Sequence, residues 1–292
     1  MKKLLLAGWL ISSLATAAPI VVTDDTGATV KLVGPAQRIV ALAPHVIENL
    51  YAIGAEKQIV AAVDYSDYPP AASKLPRVGG YSKFDVESIL LKKPDLIIGW
   101  QSGNPAAQLD QVRALGIPMY LVQSNKFEDV AHELRQLGKL SGRDREAEAV
   151  ASGFLQRLQK LRQGNASKPK VRVFYQIWQT PLMTIGGEQI ISSAITACGG
   201  ENVFASIKSM AAQISDEAVI AADAEAFVAG GMGEVRHDWL EGWRRWKQLT
   251  AVKRNNLFFV PADLMQRHTV RLVEGAEQLC AHLDVARGRR PK

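Results

Sequence analysis

The side chains in this 292-residue sequence that could do chemistry are aromatic and polar residues at the ends of predicted strands. Tyr65, Trp100 and Trp178 each close a strand pattern, and Tyr81 stands just before a predicted helix. The loop after the last predicted strand supplies Asp263, Leu264, Met265, Gln266 and Arg267. Ligands of open parallel sheets bind beyond the carboxyl ends of the strands. Flat rings at these places, with Asp263 and Arg267 as polar contacts, suit a bulky planar ligand, although any single ring could belong to the core.

Motifs of enzymes and metal sites are missing from the sequence. It contains no G-x-S-x-G, Walker A, H-E-x-x-H or Cys-x-x-Cys pattern. The five histidines are scattered, and only His45 follows a strand directly, whereas a transition-metal site needs two or three converging ligands. We therefore predict a binding protein without catalytic residues, metal or cofactor, and a secreted α/β enzyme is the alternative from another class.

Strand patterns alternate with helix patterns along the chain, which predicts parallel sheets covered by helices. In the C-terminal half the patterns predict strands at 171–178 and 226–229, a helix at 216–222 and an aromatic-rich helix from Arg236 to Gln248. One long amphipathic stretch, Arg143 to Arg162, would form a rod of about 30 Å. We predict an α/β fold of two parallel-sheet lobes, joined by this rigid helix and separated by a ligand cleft. The predicted parts are a signal peptide (1–18), an N-terminal lobe (19–141), the linking helix (142–165), a C-terminal lobe (166–285) and a basic tail (286–292). The alternative is a crossover helix inside one large domain.

The first 18 residues have the three parts of a secretory signal, namely Lys2-Lys3, a short apolar core and a small-residue cleavage site. They predict export to the periplasm. Without Lys2 and Lys3, 33 basic residues face 29 acidic ones, and the formal charge falls from +6 to +4. Such a mild excess does not indicate nucleic-acid binding. In an oxidising compartment the two cysteines, Cys198 and Cys280, favour a disulfide, with two buried free thiols as the alternative.

A weak internal repeat places two glutamates at matching points. Asp85–Leu91 and Ser215–Ala221 each lead into a predicted strand with the same spacing, and they carry Glu87 and Glu217 respectively. Two similar lobes would present these carboxylates at corresponding positions. The alternative is that each glutamate sits in a first helical turn only for capping and dipole reasons.

Three stretches resemble the periplasmic cobalamin-binding proteins that serve vitamin B12 ABC importers. They are Tyr65-Ser66-Asp67-Tyr68-Pro69-Pro70, Lys93-Pro94-Asp95-Leu96-Ile97-Ile98-Gly99-Trp100 and Cys198-Gly199-Gly200-Glu201-Asn202-Val203-Phe204. The likeness runs from about Arg38 to Leu283, nearly the whole mature chain. The Lys-Pro-Asp-Leu strand entry is shared by the wider class of helix-linked solute-binding proteins and points to the fold. The tyrosine-proline loop and the two cysteines point more narrowly to cobalamin.

The resemblance implies a monomeric periplasmic protein that captures cobalamin between its lobes and delivers it to the permease of an ABC importer. It carries ligand contacts onto Tyr65, Trp100 and the Asp263–Arg267 loop. It also implies that Glu87 and Glu217 meet arginines of the membrane subunits, and that the two cysteines pair.

Two positions depart from the family pattern, since Tyr81 and Ala211 stand where tryptophans are expected. The predicted hairpin at 20–33 and the Gly80-Tyr81 pair are more typical of iron-chelate and haem members. The alternative function is therefore a haem- or ferric-siderophore-binding protein of the same fold.

Overall fold

The N-terminal half of the chain folds around a four-stranded parallel sheet. The computed structural model describes residues 19–230 and 238–291, so the predicted signal peptide lies outside the described residues. The strands of this sheet, in the order in which they pair, are β4 (Ile59–Ala62), β3 (Ile39–Ala41), β7 (Leu96–Trp100) and β8 (Met119–Val122). Ile39, Ile97 and Ile98 are fully buried. A continuous apolar run is typical of a strand that helices cover on both faces.

Two small hairpins, four α-helices and two short 3₁₀ helices (Glu56–Gln58 and Pro70–Lys74) complete this lobe. The predicted hairpin at 20–33 is confirmed, because β1 (Ile20–Thr23) pairs antiparallel with β2 (Thr29–Leu32). A second pair, β5 (Gly79–Gly80) and β6 (Lys83–Phe84), was not expected from the sequence. The helices are α1 (Pro44–Ala52), α2 (Val86–Leu91), α3 (Ala106–Arg113) and α4 (Phe127–Ser141).

The long amphipathic stretch forms α5 (Asp144–Asn165), and this helix packs on both halves of the chain. Toward the N-terminal lobe, Phe154 stacks on Phe127 of α4 with ring centroids 5.8 Å apart. Toward the C-terminal lobe, Arg157 bonds Glu277 at 2.8 Å. One hydrophobic cluster runs from the first sheet past α5 to the second sheet. Helix α5 is therefore held along its length rather than left as a free spacer.

The C-terminal half is built on a mixed sheet. Its main path is β12 (Ala211–Gln213), β10 (Met183–Ile185), β9 (Val171–Trp178), β13 (Ala226–Ala229) and β14 (Leu257–Phe259), with β11 (Gly200–Asn202) paired to β9. Strands β9, β11, β13 and β14 run parallel, whereas β10 and β12 add an antiparallel edge. The helices are α6 (Ile190–Ala197), α7 (Asp216–Ala222), α8 (Asp238–Glu241), α9 (Thr250–Lys253), α10 (Ala262–Met265) and α11 (Leu272–Gly288).

The predicted disulfide is confirmed, since Cys198 after α6 is bonded to Cys280 in α11. Helix α11 also continues to Gly288, into the segment 286–292 that the sequence suggested as a basic tail. Arg290 beyond it bonds Glu225 at 2.7 Å, and Arg287 bonds the Cys198 carbonyl at 2.7 Å. An ion pair and a hydrogen bond therefore hold this basic segment against the lobe. No helix in the described part of the chain is long and apolar enough to cross a membrane.

Candidate functional site

Four rings from both lobes meet at the carboxyl ends of the two sheets. Trp100 ends β7, His45 is the second residue of α1, which follows β3, and His268 follows α10, which itself follows β14. The His45 ring lies 5.2 Å from the Trp100 ring and 5.6 Å from the His268 ring, measured between centroids. Tyr81 lies 6.0 Å from Trp100. The carboxyl edges of the sheets thus face each other across an aromatic floor, where α/β proteins bind ligands.

Trp100 and Tyr81 are held in place by one amide side chain. Asn104 Oδ1 accepts from the backbone N–H of Trp100 at 2.6 Å, and Asn104 Nδ2 donates to the carbonyl of Tyr81 at 2.8 Å. Gly103 leaves room for the indole, because a Cβ at that position would collide with the Trp100 ring. The local sequence Trp-x-x-Gly-Asn therefore fixes the direction of the ring.

An ion cluster joins the lobes beside these rings. Glu48 of α1 accepts from Arg267 at 2.8 Å and from Arg271 at 2.9 and 3.0 Å. Arg267 also bonds Asp67 at 2.7 Å and pairs with Asp263 at 3.2 Å. The Glu48 side chain is only 2% exposed. Burial lowers the pKa of Arg267, but hydrogen bonds to Asp67 and Glu48 outweigh it and raise the pKa above its ordinary value. The guanidinium is therefore a permanent charge.

The loop of Tyr65, which was predicted to contact the ligand, is part of the same contact region between the lobes. Arg271 lies over the ring of Tyr68, with the guanidinium carbon 3.6 Å from the ring centroid, which is a cation–π contact. Tyr65 of this loop is largely exposed and has a φ of 63°. The backbone thus turns its ring outward, toward solvent.

Burial keeps the two imidazoles of the floor and the nearby carboxyl group of Glu133 neutral. Burial lowers the pKa of His268 to about 4, against a small opposing effect of Asp129. Burial, His268 and Arg267 together lower the pKa of His45 well below its ordinary value. Burial raises the pKa of Glu133 to about 8, although Asn49 and Ser124 both donate hydrogen bonds to it. Asn49 also donates to the His268 carbonyl at 3.0 Å and so links the lobes a second time.

The other residues predicted to contact a ligand are placed differently. Trp178 packs edge-on against Trp239 and donates to the Thr180 carbonyl, on the C-terminal lobe alone. Asp263 is exposed apart from its pair with Arg267. The side chains of Leu264 and Met265 are buried, and Gln266 donates to the Gly230 carbonyl. The structure therefore brings Tyr81, Trp100 and Arg267 to the junction, and it does not bring Trp178 to the ring cluster.

The two predicted docking glutamates occupy equivalent, exposed positions. Glu87 and Glu217 are each the second residue of a helix, α2 and α7. The caps of these helices are other residues, since Asp85 accepts from the Glu87 N–H and Ser215 accepts from the Ala218 N–H. A hydrogen bond to its own backbone N–H, and a second one to Ser215, lower the pKa of Glu217.

The sequence reasoning did not find Glu48, Arg271, His268 or the partner role of Asp67. A carboxylate inside the apolar segment Pro44–Ala52 was the available signal for Glu48, because a buried acid needs a partner. Nothing local could have named Arg271 as that partner. Within residues 19–230 and 238–291, no cluster of three or more His, Cys, Asp or Glu side chains is arranged to hold a metal ion.

The sequence matches one family of known proteins. The family model described as "Periplasmic binding protein" matches residues 39–264. The vitamin B12-binding protein of Vibrio cholerae serotype O1 is 36% identical over 255 residues, covering 86% of this chain and 91% of that protein.

Solved structures agree on the fold. The crystal structure of the periplasmic vitamin B12-binding protein BtuF of Vibrio cholerae matches with a TM-score of 0.80 and 36% identity, covering 87% of this chain and 98% of that one. The periplasmic haem-binding protein RhuT from Roseiflexus sp. RS-1 matches with a TM-score of 0.74 at 22% identity, covering 86% of this chain and 99% of that one. A likeness at that identity shows a shared fold alone.

Proposed function

The chain belongs to the periplasmic binding protein family, and from that premise we propose that it captures cobalamin between its lobes and delivers it to an ABC importer. The observation that carries the proposal is 36% identity along nearly the full length of a vitamin B12-binding protein, with a TM-score of 0.80. The fold alone does not distinguish ligands, because the haem-binding relative shares it at 22% identity.

The chemistry of the junction supports a large, flat, mostly neutral ligand. Trp100 and Tyr81 offer aromatic faces, and both imidazoles beside them are neutral. The arginines at the junction are already paired with Glu48, Asp67 and Asp263. A ligand held here is bound by ring contacts and a few hydrogen bonds, without a covalent step.

Calorimetric titration with cyanocobalamin and, separately, with hemin tests the ligand. We expect saturable binding of one cyanocobalamin per protein and no comparable heat with hemin. The visible spectrum of protein purified with its native ligand gives an independent check, because corrin and haem bands differ. Tight hemin binding without a cyanocobalamin signal would refute cobalamin as the ligand, and Tyr81 and His45 would then be the first iron ligands to test.

For delivery, we propose that Glu87 and Glu217 dock the protein on the permease, in the periplasm and as a monomer. Three features support this role: both side chains are exposed, both occupy the second residue of a helix, and other residues cap those helices. A two-fold symmetric importer presents the same basic surface twice, so a pseudo-symmetric partner needs one carboxylate in each lobe.

The double variant Glu87→Ala/Glu217→Ala tests docking. We expect unchanged cyanocobalamin affinity and weaker binding to permease in detergent. The matched control is Glu56→Ala/Glu274→Ala, which also removes one exposed first-turn glutamate from each lobe. If the first variant only lowers the melting temperature and still binds the permease, the glutamates serve their helices and not docking.

A further inference from the structure

His45, Trp100 and His268 are three of the four rings of the aromatic floor, and no sequence pattern points to a role for the two histidines as a pair. His45 belongs to the N-terminal lobe and His268 to the C-terminal lobe, with their ring centroids 5.6 Å apart. The Trp100 ring contacts both, at 5.2 and 6.1 Å. Each histidine is 4% exposed, so both imidazoles are covered, whereas Trp100 is half-buried.

Two polar atoms of this floor have no hydrogen-bond partner among the described residues. They are Trp100 Nε1 and His268 Nδ1, and both are buried. Buried polar groups in folded proteins are almost always hydrogen-bonded, and an unmade bond costs about 1–3 kcal/mol. An indole N–H can only donate, whereas the second nitrogen of a neutral imidazole can accept or donate according to its tautomer. Trp100 Nε1 is therefore an unused hydrogen-bond donor, and His268 Nδ1 is an unused nitrogen that can accept or donate.

The neighbouring charges do not favour an anion at the floor. Arg267 and Arg271 face three carboxylates, those of Glu48, Asp67 and Asp263. The imidazoles themselves carry no charge at neutral pH, since burial lowers the pKa of both. A ligand carboxylate would meet two neutral rings and a surplus of acid. A primary amide brings one acceptor and two donors without charge.

We propose that His45, His268 and Trp100 Nε1 are the polar recognition point of the cleft, and that they select a macrocycle with neutral primary amides on its rim over one with carboxylates. This inference rests on the proposed function, since a corrinoid carries such amides and haem carries carboxylates. The Trp100 N–H donates to an amide oxygen, and His268 Nδ1 accepts from an amide N–H. His45 backs the His268 ring and fixes its plane.

Calorimetry with cyanocobalamin on single variants tests the assignment. Trp100→Phe keeps a flat ring and removes the N–H, and we expect an affinity loss of about tenfold. The matched control is Trp246→Phe, because Trp246 Nε1 is also buried without a described partner but packs in a separate cluster of the C-terminal lobe. We expect the control to bind as the wild type does.

Two changes at His268 separate hydrogen bonding from packing. The amide of His268→Asn lies near the position of Nδ1, so this variant should stay within about threefold of wild-type affinity, whereas His268→Leu should lose about tenfold or more. A cobalamin derivative with one rim amide hydrolysed to a carboxylate should bind the wild type more weakly than cyanocobalamin does. In Trp100→Phe the affinities for these two ligands should lie closer together.

The outcomes distinguish this inference from the function on which it rests. If the wild type binds cyanocobalamin and neither Trp100→Phe nor His268→Leu weakens it beyond about twofold, the recognition point is wrong and the proposed ligand stands. If the wild type binds no cyanocobalamin, both the recognition point and the proposed ligand are wrong. Circular dichroism melting checks folding, and if His268→Leu does not fold, the Trp100→Phe and Trp246→Phe pair still decides.

Discussion

Glu48→Ala is expected to destabilise the fold, because it breaks the buried ion cluster that joins the two lobes. Glu48 lies on α1, and both of its carboxylate oxygens are bonded to arginines of the other lobe, more than two hundred residues away in sequence. The change removes an acid whose side chain is 2% exposed and leaves Arg267 and Arg271 with side chains 14% and 16% exposed.

The magnitude follows from what each arginine retains. Arg267 keeps its ion pairs with Asp67 and Asp263, whereas the guanidinium of Arg271 keeps its contact with the face of Tyr68. Removing one partner of a buried ion pair destabilises a protein by about 3–5 kcal/mol, because it leaves a charge without compensation. The carboxylates that remain beside Arg267 place the expected loss at the lower end, about 3 kcal/mol of unfolding free energy.

Urea unfolding at pH 7, followed by circular dichroism, measures this loss. The matched control is Glu148→Ala, since Glu148 also holds an arginine through two bonds, at 2.7 and 2.9 Å to Arg135, but its side chain is 58% exposed. Exposed pairs contribute little because water screens them. We expect Glu48→Ala to lower the urea midpoint markedly and Glu148→Ala to leave it almost unchanged. Equal and small shifts would refute the argument from burial.

Three further outcomes are expected. The denatured, unreduced protein should show no free thiol, and Cys198→Ala/Cys280→Ala should lower the unfolding free energy by about 4 kcal/mol, since the bridge spans 82 residues; two titratable thiols would contradict the pairing. Glu133, with a pKa raised to about 8, should make stability fall as pH rises toward 8, because above its ordinary pKa the unfolded state has already lost the proton that the folded state keeps. His268, with a pKa lowered to about 4, acts in the opposite sense and makes stability fall as pH drops below 6.5. Between pH 6.5 and 8 the free energy of unfolding should therefore fall by about 1.4 kcal/mol per pH unit because of Glu133. Urea unfolding of Glu133→Gln should lack that slope, and an unchanged slope would exclude Glu133 as its source. Gly153→Ala should raise the free energy of unfolding by about 0.5–1 kcal/mol, and the urea midpoint with it, because this exposed glycine lies inside α5 with open space at its Cβ; a lower midpoint would show that the helix is strained there.

Most elements of the fold could be predicted because their signals are local. The strand at 171–178, the strand at 226–229 and the helix at 216–222 have the bounds that the sequence suggested. Their signals were continuous apolar runs and a Ser-Asp-Glu start, which depend on a few neighbouring residues. The pairing of Cys198 with Cys280 was open to prediction for a different reason, since only two cysteines exist.

Two predictions about the C-terminal lobe were incomplete because tertiary contacts overrode a local pattern. Arg236 to Gln248 was expected to be one helix, and residues 236 and 237 lie outside the described residues. The described part forms α8 only as far as Glu241, followed by a 3₁₀ turn at Gly242–Arg245. Gly242 weakens a helix, and Trp243 turns inward to donate to Gln176 at 2.9 Å. Strands β10 and β12 were missed because each is three residues long and pairs antiparallel at a sheet edge.

The contacts between the two lobes could not be predicted from the sequence, because they join residues that are far apart in the chain. Glu48 pairs with Arg267 and Arg271, and Asn49 bonds the His268 carbonyl, all across at least 219 residues of chain. Periodicity gives the face on which a residue lies, but it does not give which distant loop meets that face. Trp100 could be named because it ends a predicted strand, and Tyr81 because it stands just before a predicted helix, and such places mark the ligand edge of a sheet. The ion cluster and the histidine pair depend instead on how the two sheets are set against each other.

That setting leaves little freedom for the lobes to move, which bears on how a ligand is recognised. On α5, Phe154 packs on the N-terminal lobe and Arg157, one turn away, bonds the C-terminal lobe. A large rotation of one lobe would therefore have to repack this helix as well as break the bonds of Glu48, and close-packed cores do not deform continuously. Recognition must then depend on groups already in place when the cleft is empty. The buried nitrogens of Trp100 and His268 are such groups, because both lie at the junction without a hydrogen-bond partner among the described residues.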